Sequence, residues 1–288
     1  MGNLSNFNNL SKTFKYVNEN GGTITFTYYG GYLINKPKGI DTLTVKLNEA
    51  QDIDQVGTTV QSVNVQSRPV TVSGILCGDF QSENKEKLLS VIRPDLQGKF
   101  YADDYYLDVY PTATPTIEAK AEYASFQFSL KAAYPYWQLD DSTSATLSGV
   151  AKRFKFPWNI SQTYRFGEIV RAQFINIYNG GQVSIPFTAT LIALDEVVNP
   201  KLTDASTNKF LLLNKTLVAG ERVVIEITHE RVYVTSSVDG ECRGALSLDS
   251  QYFRLAVGDN VMKPTADSGR DNLQVDIAFA TEITGISL

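Results

Sequence analysis

The stretch Ala124–Gln138 most constrains the fold of this 288-residue chain. It reads ASFQFSLKAAYPYWQ. Phe126, Phe128 and Leu130 alternate with Gln127, Ser129 and Lys131, and such alternation sets one face of a strand in a core and the other in water. Pro135 has no N–H to give a sheet and pushes its predecessor into an extended conformation. The strand therefore ends in Tyr134-Pro135-Tyr136-Trp137. The run Asp140–Thr146 that follows is polar and has no apolar period, which reads as a linker. A strand closing on an aromatic knot and meeting a linker near mid-chain predicts a domain boundary. The expected domains are residues 1–140 and 141–288, each long enough to hold its own core.

Strand signals dominate both halves. Thr23–Tyr29 alternates Thr with bulky residues before Gly30-Gly31, and Thr42–Leu47 alternates again. Residues 48–60 are polar and acidic, with Glu49, Asp52 and Asp54. They read either as a long solvated loop or as a long hairpin or loop reaching another subunit. Val70–Leu76 resumes as a strand. Ser82–Arg93 is the one clear helix: Ser82 can cap it, Glu83 and Glu86 suit its positive end, and Pro94 stops it. Leu88, Leu89 and Ile92 are its expected apolar stripe. Beyond the linker, short strands recur at Glu168–Asn176, Val183–Leu194, Phe210–Leu213, Arg222–Thr228 and Leu273–Phe279, separated by turn pairs such as Asp239-Gly240. That spacing predicts a β-sandwich. The 15 Phe and 15 Tyr against two Met agree with a mainly β chain.

Charge and chemistry narrow the function. The net charge of −5 is shared evenly, with 12 basic and 15 acidic groups in residues 1–140 and 14 and 16 in the rest. Neither half is basic, so a nucleic-acid surface has no electrostatic support. Cys77 and Cys242 fall in different expected domains and read as free thiols of a reducing cytosol. The first residues lack the order of a signal peptide, and no stretch approaches the roughly 20 apolar residues of a membrane span. His229, the single histidine, sits at a bend and reads as a surface turn residue. No metal-ligand spacing, phosphate loop or nucleophile motif is present. Asp103-Asp104, Asp140-Asp141 and Asp195-Glu196 read as turn carboxylates, because adjacency is not the cleft geometry of glycoside hydrolysis. An enzyme is not expected, nor any cofactor or metal.

Several segments resemble one family in order along the chain. They are the knot at Tyr134–Trp137, Ser67-Arg68-Pro69 through Leu76, Asn179-Gly180-Gly181, Asn199-Pro200 and Gly220-Glu221-Arg222-Val223-Val224-Ile225. Leu248, Ser250, Leu255, Gly258 and Asn260 follow. Together they resemble the distal tail proteins of siphophages that infect Gram-positive bacteria. The resemblance implies an N-terminal barrel- or sandwich-like domain with one helix and a long hairpin or loop, and a C-terminal galectin-like sandwich. It implies a virion protein, made and assembled in the host cytoplasm, whose N-terminal domains close a homohexameric ring at the tail tip. Its implied partners are the tail tube protein, the tail-associated tip protein and receptor-binding proteins. Tyr28, Tyr29 and Tyr32, with Glu49, Asp52 and Asp54, are the candidate ring contacts, since tyrosine suits interfaces. The alternative is a carbohydrate-binding protein recognising host cell-wall glycans, with Trp158 stacking on a sugar.

Overall fold

The computed structural model describes residues 13–27, 31–76, 81–119, 123–140, 143–146, 148–151, 168–171 and 174–287. The chain is mainly β and divides into two compact units. The first comprises Met1–Asp140 together with Glu282–Leu288, and the second Asp141–Thr281. The chain leaves the first unit after Asp140. The last seven residues, expected with the second domain, instead return to the first.

The first unit is a strongly connected antiparallel sheet. Its path runs Thr23–Phe26, Phe14–Asn18, Gly98–Ala102, Tyr105–Pro111, Ala124–Ala132, Arg68–Leu76 and Tyr32–Ile34. The constraining strand Ala124–Ala132 is central, paired over nine residues with Arg68–Leu76. Its burial alternates as its sequence does, with Phe126, Phe128 and Leu130 inside. Phe26, Phe126 and Phe128 stack at 6.0–6.4 Å between ring centroids, geometry that adds to the burial of each ring. Gly74 lies where this strand pair meets Leu33: a Cβ there would stand 2.0 Å from the Leu33 carbonyl oxygen. Only glycine fits.

The helix spans Gln81–Val91. Leu88 and Ile92 are fully buried, as expected, but Leu89 is 43% exposed and Val91 takes the inward place. Helical period explains the change, because 88, 91 and 92 share a face that 89 leaves. Arg93 lies past the helix end and pairs with Asp95. Trp137 of the knot is fully buried against Phe100, and its indole N–H donates to the Ile40 carbonyl at 3.0 Å.

The second unit is a sandwich built around one core. One sheet runs Thr143–Thr146, Leu273–Phe279, Thr188–Ala193, Arg222–Ile227, Val232–Ser236 and Gly240–Glu241. The other runs Ile175–Asn179, Gly258–Thr265, Lys201–Asp204 and Phe210–Leu212. Ile225, Leu191, Val275 and Ile277 from the first sheet share the core with Ile177, Leu202, Leu211 and Met262 from the second.

Candidate functional site: a projecting arm

Val45–Ala50 and Thr59–Val65 pair with each other and with no other strand among the described residues. The polar region of the sequence is thus a hairpin. Val45 faces Val65 and Leu47 faces Val63, while Lys46–Asn64 and Asn48–Ser62 occupy the opposite face. A register shift between Asn48 and Glu49 then brings Val60 opposite Glu49. One face of the arm is therefore an aliphatic stripe and the other is polar. The stripe is in water: Val45, Leu47, Val60, Val63 and Val65 are each 41–58% exposed.

The tip is ordered by its own side chains. The Gln55 carboxamide accepts from the Asp52 N–H at 3.1 Å and donates to Thr59 Oγ1 at 2.9 Å. Gln51 donates to the Gln55 carbonyl at 3.1 Å, and Thr58 donates to the Glu49 carboxylate at 2.7 Å. Asp54 and Gly57 hold positive φ, 66° and 86°. This scaffold presents Ile53 and Val56 almost wholly to solvent, at 94% and 101% exposure. A lone two-stranded hairpin is marginal in water. A contiguous apolar stripe on one is the signature of a surface that binds something.

The sequence candidates separate. Glu49, Asp52 and Asp54 lie together at the arm's outer end, where the Glu49 carboxylate accepts from Thr58 and Asp52 contributes its backbone N–H. Tyr32 is a correction. It is 3% exposed, packed edge-on against Phe26 and Phe126, and its hydroxyl donates to the Asn84 carbonyl at 3.0 Å. It belongs to its own unit's core because Tyr32–Ile34 closes one edge of the sheet over the helix. Tyr28, Tyr29 and Trp158 lie outside the described residues, as does Cys77. Cys242 is a free, partly buried thiol pushed up by that burial.

Sequence reading placed Val45 and Leu47 in an alternating strand but missed Val60, Val63 and Val65. Val63 and Val65 alternate among polar neighbours, and the register shift takes Val60 out of that period. Asp103-Asp104 and Asp195-Glu196 stay at turns, while Asp141 lies outside the described residues. Asp103, at φ 51°, sits in the two-residue link between Gly98–Ala102 and Tyr105–Pro111, and the Asp195 carboxylate accepts from the Glu196 N–H. Among the described residues no three of His, Cys, Asp and Glu are grouped to hold a metal ion. No described helix is long and apolar enough to cross a membrane.

The first unit is thus a sheet with an exposed hairpin, and the second a two-sheet sandwich. Residues 180–281 match the family model described as the siphovirus-type tail component, C-terminal domain. Over most of the chain the fold is similar to that of solved phage adsorption-apparatus and baseplate proteins. It is similar to the crystal structure of the SPP1 Dit protein, described as a paradigm of hub adsorption apparatus in Gram-positive-infecting phages. That likeness has a TM-score of 0.68 at 12% identity, over 93% of this chain and 98% of that one. It is also similar to a chain of the phage P2 baseplate in its activated conformation with calcium. There the TM-score is 0.51 at 11% identity, over 96% and 100% of the two chains. No curated protein sequence matches. The resemblance to siphophage distal tail proteins stands on the family model and the fold together.

Proposed function

We propose that this protein is the structural hub of a siphophage tail tip, closing a homohexameric ring through its first unit. The ring joins the tail tube protein on one side to the tail-associated tip protein on the other, within the virion. The second unit serves as the docking domain for receptor-binding proteins. The observation that carries this reading is the Val45–Val65 arm, an ordered hairpin that leaves its apolar stripe uncovered. A ring is made by a heterologous contact repeated until the rotation closes, so each subunit needs a donor patch and a different acceptor patch. The arm is the donor.

Light scattering of the full chain tests this, with a closed ring of six expected. Val63→Glu together with Val56→Asp places charge in the stripe and at the tip. Because these side chains are exposed in the single subunit, folding should be unaffected, while assembly should weaken at least tenfold, given that interface hot spots cost about 2 kcal/mol or more. A chain that is monomeric at high concentration, or a variant that assembles as well as the parent, would refute the reading.

A further inference from the structure

The second unit contains a concavity of about 460 Å³ at one end of the sandwich. Its walls come from four separate places in the sequence: Lys209 before strand Phe210–Leu212, the turn Thr228–Arg231, Arg243 after strand Gly240–Glu241, and Tyr252–Arg254. Four cations therefore line it, Lys209, Arg231, Arg243 and Arg254, against the single carboxylate of Glu230. In a chain of net charge −5 this is a local reversal of sign. No Lys/Arg run in the sequence announces it, because the topology alone brings the residues together.

The cations are available. The side chains of Lys209 and Arg243 have no ion pair among the described residues, and both are exposed. Arg231 pairs loosely with its exposed neighbour Glu230, at 3.9 Å, and lies over the Tyr233 ring, 5.8 Å from its centroid. Arg254 is steadied by donating to the His229 carbonyl at 3.2 Å, and the turn beneath it is held by the Thr228 hydroxyl, which donates to the Arg231 carbonyl at 2.9 Å. The floor is apolar, formed by Ile227, Val232 and Phe253, all buried, and Tyr252 stands half-exposed on the wall.

We propose that this concavity binds an anionic saccharide unit, one compact sugar ring bearing a phosphate or carboxylate. Guanidinium forks match the paired oxygens of either oxyanion. The volume lies in the range of small-ligand sites. A bare anion would meet Glu230 with repulsion, whereas a ligand anionic at one end and hydroxyl-rich at the other gives Glu230 hydrogen bonds to accept. Tyr252 supplies a ring face and a hydroxyl for the sugar body. The inference is independent of ring closure, since every residue it uses belongs to the second unit.

The test is titration of the full chain by calorimetry with four probes: glucose 1-phosphate, glucuronate, glucose and inorganic phosphate. Saturable binding of glucose 1-phosphate, glucuronate or both is expected, weakening as salt rises, and the stronger of the two identifies the oxyanion. Lys209→Ala with Arg243→Ala should weaken it at least tenfold without moving the melting temperature. Glucose or inorganic phosphate binding as tightly as the anionic sugars, absence of saturation by either anionic sugar, or indifference to the double variant would each overturn the proposal.

Discussion

Arg68 shows how little of a residue's role is written in its neighbours. The sequence marks it only as part of Ser67-Arg68-Pro69. In the structure its side chain is 2% exposed and its guanidinium is spent on backbone carbonyls. It donates to Pro135 at 2.6 Å, to Gly39 and Ile40 at 2.9 and 3.0 Å, and to Thr284. Four segments distant in sequence are tied by one planar cation, and burial pulls it below its ordinary pKa while Asp41 opposes that shift. Arg68→Met should cost about 3 kcal/mol or more, because it leaves several buried carbonyls without donors. Arg68→Lys should recover little, since a single ammonium cannot reproduce the fork. Chemical denaturation of the first unit measures both, and a Lys variant as stable as the parent would show that the fork is not what matters.

Glu221, marked by the turn Gly220-Glu221-Arg222, has a second such role. Its side chain is 1% exposed. Burial raises its carboxyl, but hydrogen bonds from Lys215, Ser236 and the Val218 N–H outweigh that and hold it below the usual carboxylate range. Burial likewise lowers Lys215, yet Asp239 and Glu221 leave it above the usual amine range. The depressed carboxylate stabilises the fold above its unfolded pKa and loses that stabilisation as pH falls through its folded value. The raised amine stabilises below its own unfolded pKa and loses it as pH rises through its folded value. Melting of the second unit should therefore be flat between about pH 5 and pH 10 as far as this pair is concerned, and fall on both sides. Glu221→Gln should lower the plateau and flatten the acid limb; an unchanged acid limb would mean the pair contributes nothing.

At the scale of elements, period and turn chemistry were legible wherever one face is buried. Ala124–Ala132, Arg222–Ile227 and Leu273–Phe279 all alternate as their sequences do. Legibility failed where no described core lies behind a strand. Val45 and Leu47 read as alternating, but Val60, Val63 and Val65 have no buried face among the described residues to report. The cationic pocket failed for another reason, since four loops assemble it and no local pattern encodes their meeting. Because among the described residues the arm's strands pair only with each other, replacing residues 45–65 by a short turn should change stability of the single subunit by no more than about 0.5 kcal/mol. It should nevertheless abolish assembly in light scattering. A shortened chain that still forms the ring would move the contact elsewhere, and one that unfolds would make the arm part of the core.

At the scale of the molecule, the second unit is an insertion into a strand pair of the first. Trp137 and Gln138 pair with Ile283 and Glu282, so the points where the chain leaves and re-enters the first unit are neighbours in one ladder, about 5 Å apart. The return is held firmly. Tyr134 donates to the Glu282 carboxylate at 2.5 Å, the Ile286 N–H donates to the Ile40 carbonyl at 3.1 Å, and Ile286 is 3% exposed. The second unit closes in the same way, with Thr143 paired to Phe279. Linear reading could not find this, because a boundary is visible as a polar run after Trp137 whereas re-entry at Glu282 carries no punctuation. The consequence is specific. Residues 1–140 alone lack the strand that Arg68 and Trp137 hold, and should be markedly less stable than a chain in which Asp141–Thr281 is replaced by a short Gly/Ser linker. Termini adjacent in a sheet tolerate such a join. The joined chain should fold and assemble into the ring, while residues 141–281 should fold alone as a monomer. Equal stability of the 1–140 fragment and the joined chain would show the returning segment to be dispensable, and an oligomeric 141–281 fragment would transfer the ring contact to the sandwich.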